Sequence, residues 1–271
     1  MIDAHQHFWR LSDHAGQWPP PDLVAIHRDF APDDLQPVLS SSGVTGTILV
    51  QSLPAPADTS YLLDLADRHA FILGVVGWAD LKAAEAASVI SDLARQPKLR
   101  ALRPMLQDIA DPNWIDDPAL DPAIEAMVSN GLCFDALVKP RHLPALHAFA
   151  LRHADLPIVI DHAAKPDIAR NMFGEWRRDM EALSALGNVQ VKLSGLLTEA
   201  GDRADLPALR PYVETLIELF GFERLLWGSD WPVLLLAGDY GSWLSMCLEL
   251  IPESEQTKVF GGNASRFYRL G

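Results

Sequence analysis

The sequence predicts one (β/α)8 barrel filling residues 1–271, and three observations carry that expectation. Eight short apolar or β-branched segments recur along the chain, and helical patterns separate most of them. The length of 271 residues lies close to the ~250 typical of such a barrel. No Gly-x-Gly-x-x-Gly or phosphate-binding loop follows any strand, which disfavours a doubly wound open sheet, the runner-up.

The predicted strands are Ile2–Phe8, Val44–Gln51, Phe71–Trp78, Leu99–Met105, Leu132–Val138, Leu156–Asp161, Val189–Leu193 and Leu225–Gly228. Several are apolar nearly throughout, as in Ile48-Leu49-Val50 and Ile158-Val159-Ile160. That is the pattern of parallel strands covered on both faces. Between them, residues 59–70 start with a Thr/Ser cap and bury Leu62, Leu63, Leu65 and Ala66 at helical spacing. Residues 81–95 are Ala-rich, and residues 122–130 end at Gly131, a residue type favoured just past a helix. Helical patterns over 142–153, 173–186 and 208–220 continue the alternation. The Pro-rich stretch Trp18-Pro19-Pro20-Pro21 lies in a long segment after the first strand, expected to fold over the barrel mouth.

Composition narrows the function classes. A hydrophobic content of 49% with 21% charged residues describes a globular protein with ample core material. The formal net charge of -14 repels phosphate backbones and makes nucleic acid a poor partner. No apolar run reaches the ~18 residues of a membrane span, and no amphipathic stretch is basic enough for surface anchoring. The first residues, with Asp3, His5 and His7, do not read as a secretory leader. Cys133 and Cys247 lack metal-ligand spacing and read as buried free thiols, so the cytoplasm is the expected compartment.

Barrels of this kind hold their chemistry at the C-terminal ends of the strands. The opening Asp3-Ala4-His5-Gln6-His7-Phe8-Trp9 is the most informative segment, because side chains at i and i+2 of a strand project from one face. The other strand ends carry Gln51, Trp78, Arg103, Asp135, Asp161-His162, Ser194 and Asp230. Most are polar residues closing apolar runs, where each would be costly if buried without a partner. Any one could be a helix cap or a satisfied core group; together they form a convergent set of imidazoles, carboxylates and a guanidinium.

These residues resemble the amidohydrolase superfamily. The likeness rests on the opening His-x-His segment, on Ile160-Asp161-His162-Ala163-Ala164-Lys165-Pro166 and on Trp227-Gly228-Ser229-Asp230-Trp231-Pro232. Leu99-Arg100-Ala101-Leu102-Arg103-Pro104, Lys192-Leu193-Ser194-Gly195-Leu196 and Gly262-Asn263-Ala264-Ser265-Arg266-Phe267-Tyr268 extend it over the whole chain. Within the superfamily it is similar to the branch of sugar-lactone and pyrone dicarboxylate lactonases. The resemblance implies that His5, His7, His162 and Asp230 stand where the superfamily binds a divalent metal, zinc or manganese. Some members of the branch need no metal, so the ligands alone leave metal dependence open. Arg103 and Asp135 occupy strand ends where the two-metal version carries a Lys or Glu and a His, which argues against a second ion.

The chemistry implied is hydrolysis of a sugar-acid lactone, with a small-molecule lactone as partner and an oligomeric state the sequence leaves open. Asp230 is the expected general base; His5, His7 and His162 hold an ion, or without one they and Arg103 donate to the carbonyl oxygen. Trp9, Trp78 and Trp231 are candidate faces for a sugar ring. Gln51, Lys139 and Lys165 are candidates for its hydroxyls or a carboxylate. Two alternatives remain: a metal-dependent decarboxylase of an unsaturated or aromatic acid on the same fold, and a catalytically silent binder.

Overall fold

The computed structural model describes residues 1–14 and 16–271. Eight parallel strands form one sheet in sequence order: β1 (Ile2–Gln6), β2 (Gly46–Val50), β3 (Ile72–Gly77), β4 (Leu99–Leu102), β5 (Cys133–Ala136), β6 (Ile158–Ile160), β7 (Val189–Leu193) and β8 (Leu225–Trp227). All eight fall inside the segments expected from sequence, β7 with the same bounds and the other seven trimmed at one or both ends. Closure comes just past β8, where Asp230 N–H donates to the His5 carbonyl (2.8 Å) and His7 N–H to the Trp231 carbonyl (2.7 Å). The sheet is thus a (β/α)8 barrel.

Helices fill the connections: α1 (Pro32–Ser42), α2 (Pro56–Arg68), α3 (Ala86–Leu93), α4 (Asp121–Ser129), α5 (Leu143–Arg152), α6 (Phe173–Ser184), α7 (Leu206–Phe220), α8 (Tyr240–Leu250) and α9 (Asn263–Phe267). Helix α1 had no counterpart among the expected elements, since Pro37 in its middle and a Ser-rich end mask its period. Pro at the start of α2 and α7 suits a first turn whose N–H has no acceptor. Asp205 caps α7 by accepting from Ala208 N–H.

Two apolar layers result. The larger packs the outer strand faces against the helices, with Trp176, Trp243, Phe149 and Leu216 fully or almost fully buried. The smaller lies inside the barrel: Ala4, Ile48, Val50, Val76, Ala101, Cys133, Val159 and Leu226, closed from below by Phe267 and Tyr268 at the C-terminus. Cys133 and Cys247 are both buried and unbridged. A register shift in β1 sets the orientation of the first strand. Between Asp3 and Gln6 it advances three residues while β2 advances two, from Thr47 to Leu49. That extra residue lets Ala4 join the inner layer while His5 and His7 still turn toward the mouth. Asp3 faces the helical layer instead, where its carboxylate accepts from Tyr240 Oη at 3.0 Å.

Candidate active site

A cavity of about 380 Å³ opens at the C-terminal end of the barrel, within the range of small-molecule sites. His7, His162, Asp230 and Arg103 reach its wall, with Lys165, Gln17, Trp18, Gln107 and Asp108 supplying further polar or aromatic surface. Leu53, Pro54, Met105, Leu137 and Val233 make the apolar side. Trp18 and Gln17 come from the long segment after β1, which folds over the mouth as expected.

The three histidines and Asp230 converge. His5 Nε2 lies 3.1 Å from His7 Nε2, and His7 Nε2 lies 3.2 Å from Asp230 Oδ1. The same oxygen is 3.7 Å from His5 Nε2 and 3.8 Å from His162 Nε2. Each ring is held from behind. His7 Nδ1 donates to the Val50 carbonyl at 2.8 Å, and His162 Nδ1 meets Ser194 Oγ at 2.9 Å. Behind His5 Nδ1 stands Lys192 Nζ at 3.1 Å.

Backbone strain is concentrated at two of these positions. His162, Ala163, Ala164 and Lys165 form a run with φ between 51° and 63°, and Asp230 has φ 59°. L-residues seldom adopt such values, and strain of this kind gathers at functional sites. Two glycines make room for the rings. A Cβ on Gly195 would sit 2.6 Å from the His162 ring, and one on Gly228 would sit 2.8 Å from His5 Cβ.

Burial and neighbours set the protonation states. Burial lowers the His162 ring to about 4, against the opposing pull of Asp230 and Asp161. Burial also lowers His5 well below its usual value, with the Lys192 charge adding to it. For Asp230 burial alone would raise the pKa, but His162, His7 and His5 together hold it well below the ordinary carboxylate range. Asp230 is therefore ionised and the His162 imidazole neutral at neutral pH.

Arg103 is 3% exposed and spends two of its nitrogens on the protein. One terminal nitrogen donates to Asp161 Oδ2 at 3.1 Å and the other to the Gln51 carbonyl. Among the described residues its Nε–H has no partner.

The expected substrate-contacting residues divide sharply. Lys165 lines the cavity and pairs with Glu199 at 3.8 Å. Trp9, Trp231, Trp78, Gln51 and Lys139 are absent from the wall formed by the described residues. Trp9 is fully buried, with Nε1 donating to the Arg28 carbonyl and its ring edge-on to Phe30. Trp231 packs against Phe8 and Phe30. Trp78 is half-buried, its N–H donating to Thr59 Oγ1. The Gln51 amide donates to the Arg103 carbonyl, bracing that strand end from behind. Lys139 is exposed. Asp135 also lies off the mouth: it is fully buried on β5, bound to Lys192 Nζ at 2.6 Å and Tyr268 Oη at 2.8 Å.

Lys192 and Tyr268 had drawn no expectation. The signal for Lys192 was available, since a lysine between Val191 and Leu193 in an apolar strand must be buried and paired. Trp18 had no such signal.

Fold and site together define a hydrolase-type (β/α)8 barrel with imidazoles and a carboxylate gathered at its C-terminal end, and comparison with known proteins names its family. Residues 2–270 match the amidohydrolase family model, and the chain belongs to that family. The L-fucono-1,5-lactonase of Burkholderia ambifaria is 55% identical over 276 residues, covering 99% of this chain and 95% of the relative. A zinc-bound amidohydrolase structure from Burkholderia multivorans is 36% identical with a TM-score of 0.93, covering 100% of this chain and 99% of that one. The 5-carboxyvanillate decarboxylase of Sphingomonas paucimobilis shares 18% identity and a TM-score of 0.66 over 100% of this chain and 99% of that one. At that identity the likeness is one of fold alone.

Proposed function

We infer that this chain hydrolyses the lactone ring of a sugar acid, of the L-fucono-1,5-lactone type. The observation that carries the chemistry is the convergence of an ionised, buried Asp230 with three imidazoles, of which His7 and His162 line a small-molecule-sized cavity and His5 is buried behind them. The 55% identity to a lactonase of that name over 99% of the chain supports the substrate class.

Asp230 takes a proton from the attacking water while the hydroxide oxygen bonds to the lactone carbonyl carbon. His7 Nε2, 3.2 Å from Asp230 Oδ1, shares that proton through its lone pair, because its own proton is committed at Nδ1 to the Val50 carbonyl. Negative charge collects on the carbonyl oxygen, where the Arg103 guanidinium on the cavity wall and an imidazole N–H are the available donors. Collapse breaks the ring C–O bond, and the departing alkoxide takes the proton held by Asp230. The product is the open hydroxy acid. Gln17, Gln107 and Lys165 are placed to bind ring hydroxyls, and the Leu53, Leu137 and Val233 side suits an apolar substituent.

The donor set also suits a divalent ion. His7 Nε2, His162 Nε2 and Asp230 Oδ1 face one another, and the ligand atoms of His5, His7 and Asp230 all lie within 4.8 Å of each other. Imidazole-rich coordination favours zinc over manganese. Such an ion, when bound, would polarise the carbonyl and acidify the water. An ester carbonyl is electrophilic enough that the protein's own donors can serve it.

The test is a pH-indicator assay of L-fucono-1,5-lactone beside other aldonolactones, run with and without chelator. We expect turnover by the parent and none above background by Asp230→Asn with an unchanged circular dichroism spectrum. Failure to open any lactone, or near-parental turnover by the variant, overturns the reading. Release of CO₂ from aromatic acids would instead establish the decarboxylase.

A further inference from the structure

The segment over the barrel mouth carries a cavity residue that the mechanism above does not use. Residues 10–29 join Trp9 to Phe30, whose backbones pair with each other through hydrogen bonds of 3.1 and 3.0 Å. A connection of that length in a compact domain commonly has a function, and this one brings Gln17 and Trp18 to the cavity wall. Among the described residues of that wall, Trp18 is the one tryptophan, tyrosine or phenylalanine. It is half-buried, packed in part against the core. A sugar ring presents C–H faces and hydroxyl edges, and small-molecule sites meet such ligands with an aromatic surface and a few placed polar groups.

What holds Trp18 there is an imidazole. Of residues 10–14 and 16–18, His14 alone is buried, at 2% exposure. Its Nδ1–H donates to the Trp18 carbonyl, an oxygen that can only accept. On the opposite side of the ring, Nε2 lies 3.4 Å from Ser52 Oγ and 4.0 Å from Asp58 Oδ1. Asp58 is itself buried, and its Oδ2 accepts from Ser52 N–H at 2.9 Å and Leu53 N–H at 3.1 Å. Ser52 and Leu53 also line the cavity. One ring therefore ties the segment over the mouth to the turn between β2 and α2, and sets the spacing of two walls. The next carbonyl along, that of Pro19, is held by His27 Nδ1 at 2.9 Å. Filling a gap in the core calls only for an apolar side chain; polar partners at both ring nitrogens call for an imidazole.

We propose that Trp18 is the aromatic face against which the ring of the substrate packs, and that His14 is the positioning residue that holds it there. The identity of that substrate rests on the reading of the site as a lactone-hydrolysing centre, whereas the hold of His14 on Trp18 does not. An aromatic face grips the bound lactone and the transition state alike, so its loss raises KM and leaves kcat nearly untouched.

The experiment has two arms. In steady-state kinetics with L-fucono-1,5-lactone, Trp18→Leu raises KM at least about tenfold with kcat within about twofold, and Trp18→Phe returns KM to within about threefold of the parent. His14→Leu behaves as Trp18→Leu does. His14→Asn, whose Nδ2 can take the place of the imidazole Nδ1, stays within about threefold of the parent. A parental KM in Trp18→Leu, or the same KM in both His14 variants, overturns the proposal. If His14→Leu fails to fold, His14→Gln, which has no donor at the Nδ1 position, replaces it. The second arm is fluorine NMR of Asp230→Asn enzyme labelled with 5-fluorotryptophan, the Trp18 resonance being identified by its loss in Trp18→Leu. L-fucono-1,5-lactone shifts that resonance; in the absence of lactone, adding His14→Leu moves it and adding His14→Asn does not. A Trp18 resonance unmoved by lactone overturns the proposal even where the parent turns over. A shift without turnover by the parent refutes the functional reading and leaves Trp18 as a binding face.

Discussion

Asp3→Asn should stabilise the protein, and by an amount that grows with pH. Asp3 is fully buried, with Oδ1 accepting from His5 N–H at 3.1 Å and Ser229 N–H at 2.8 Å, and Oδ2 from Tyr240 Oη at 3.0 Å. An asparagine keeps both backbone contacts through Oδ1 and presents its Nδ2 to the Tyr240 oxygen, which can accept. The buried charge is lost, and the Tyr240 hydroxyl turns from donor to acceptor. Burial raises the Asp3 pKa from 3.8 to about 6 despite these hydrogen bonds. The native state therefore binds more protons than the unfolded chain between those values, and stability falls as pH rises through that window. The shift corresponds to about 3 kcal/mol in all, of which about 1.4 kcal/mol is lost between pH 5 and pH 8. Urea unfolding of both proteins at pH 5, 6.5 and 8 measures the difference directly. A stability difference that does not change with pH, or a variant weaker at pH 8 than at pH 5 relative to the parent, would refute the argument.

Two further outcomes follow from the site. Arg103→Ala should lower kcat/KM by more than about tenfold, because it removes the guanidinium that lines the cavity and can donate to the carbonyl oxygen. An unchanged kcat/KM would make Arg103 a purely structural partner of Asp161. The pH profile should show kcat/KM level from pH 5 to 8. Asp230 is ionised throughout, and His162 gains its proton only near pH 4, the acid side of which is where activity should fall. The same ring is depressed relative to its unfolded value of 6.5, so native stability drops as pH falls from 6.5 toward 4. An inflection between pH 6 and 7 that disappears in His162→Gln would contradict this assignment.

Much of the site was legible because strand ends in this fold share one rim. His5, His7, His162 and Asp230 come from three distant parts of the chain, yet they meet at the C-terminal end of the barrel, with His5 buried behind the other three. Aromatic residues gave no comparable guide. Trp9 and Trp231 sit beside site residues in sequence but lie past the strand ends, where both pack into the core against Phe30. Trp18 comes from an irregular segment with no period to read, and it lines the cavity. Asp135 shows the limit of reading depth from sequence: a carboxylate one turn of pleat lower than the rim is a buried ion-pair partner.

Sequence alone determined the eightfold alternation, the strand segments and the residue types gathered at their ends, since apolar periodicity and strand-end polarity are local properties. Tertiary structure decided which of those polar groups share a cavity and which brace it from below. Both faces of these parallel strands are buried, so composition cannot separate a side chain facing the lumen from one facing the helices. The extra residue in β1 and the ammonium of Lys192 under His5 exist only once eight strands close on one another.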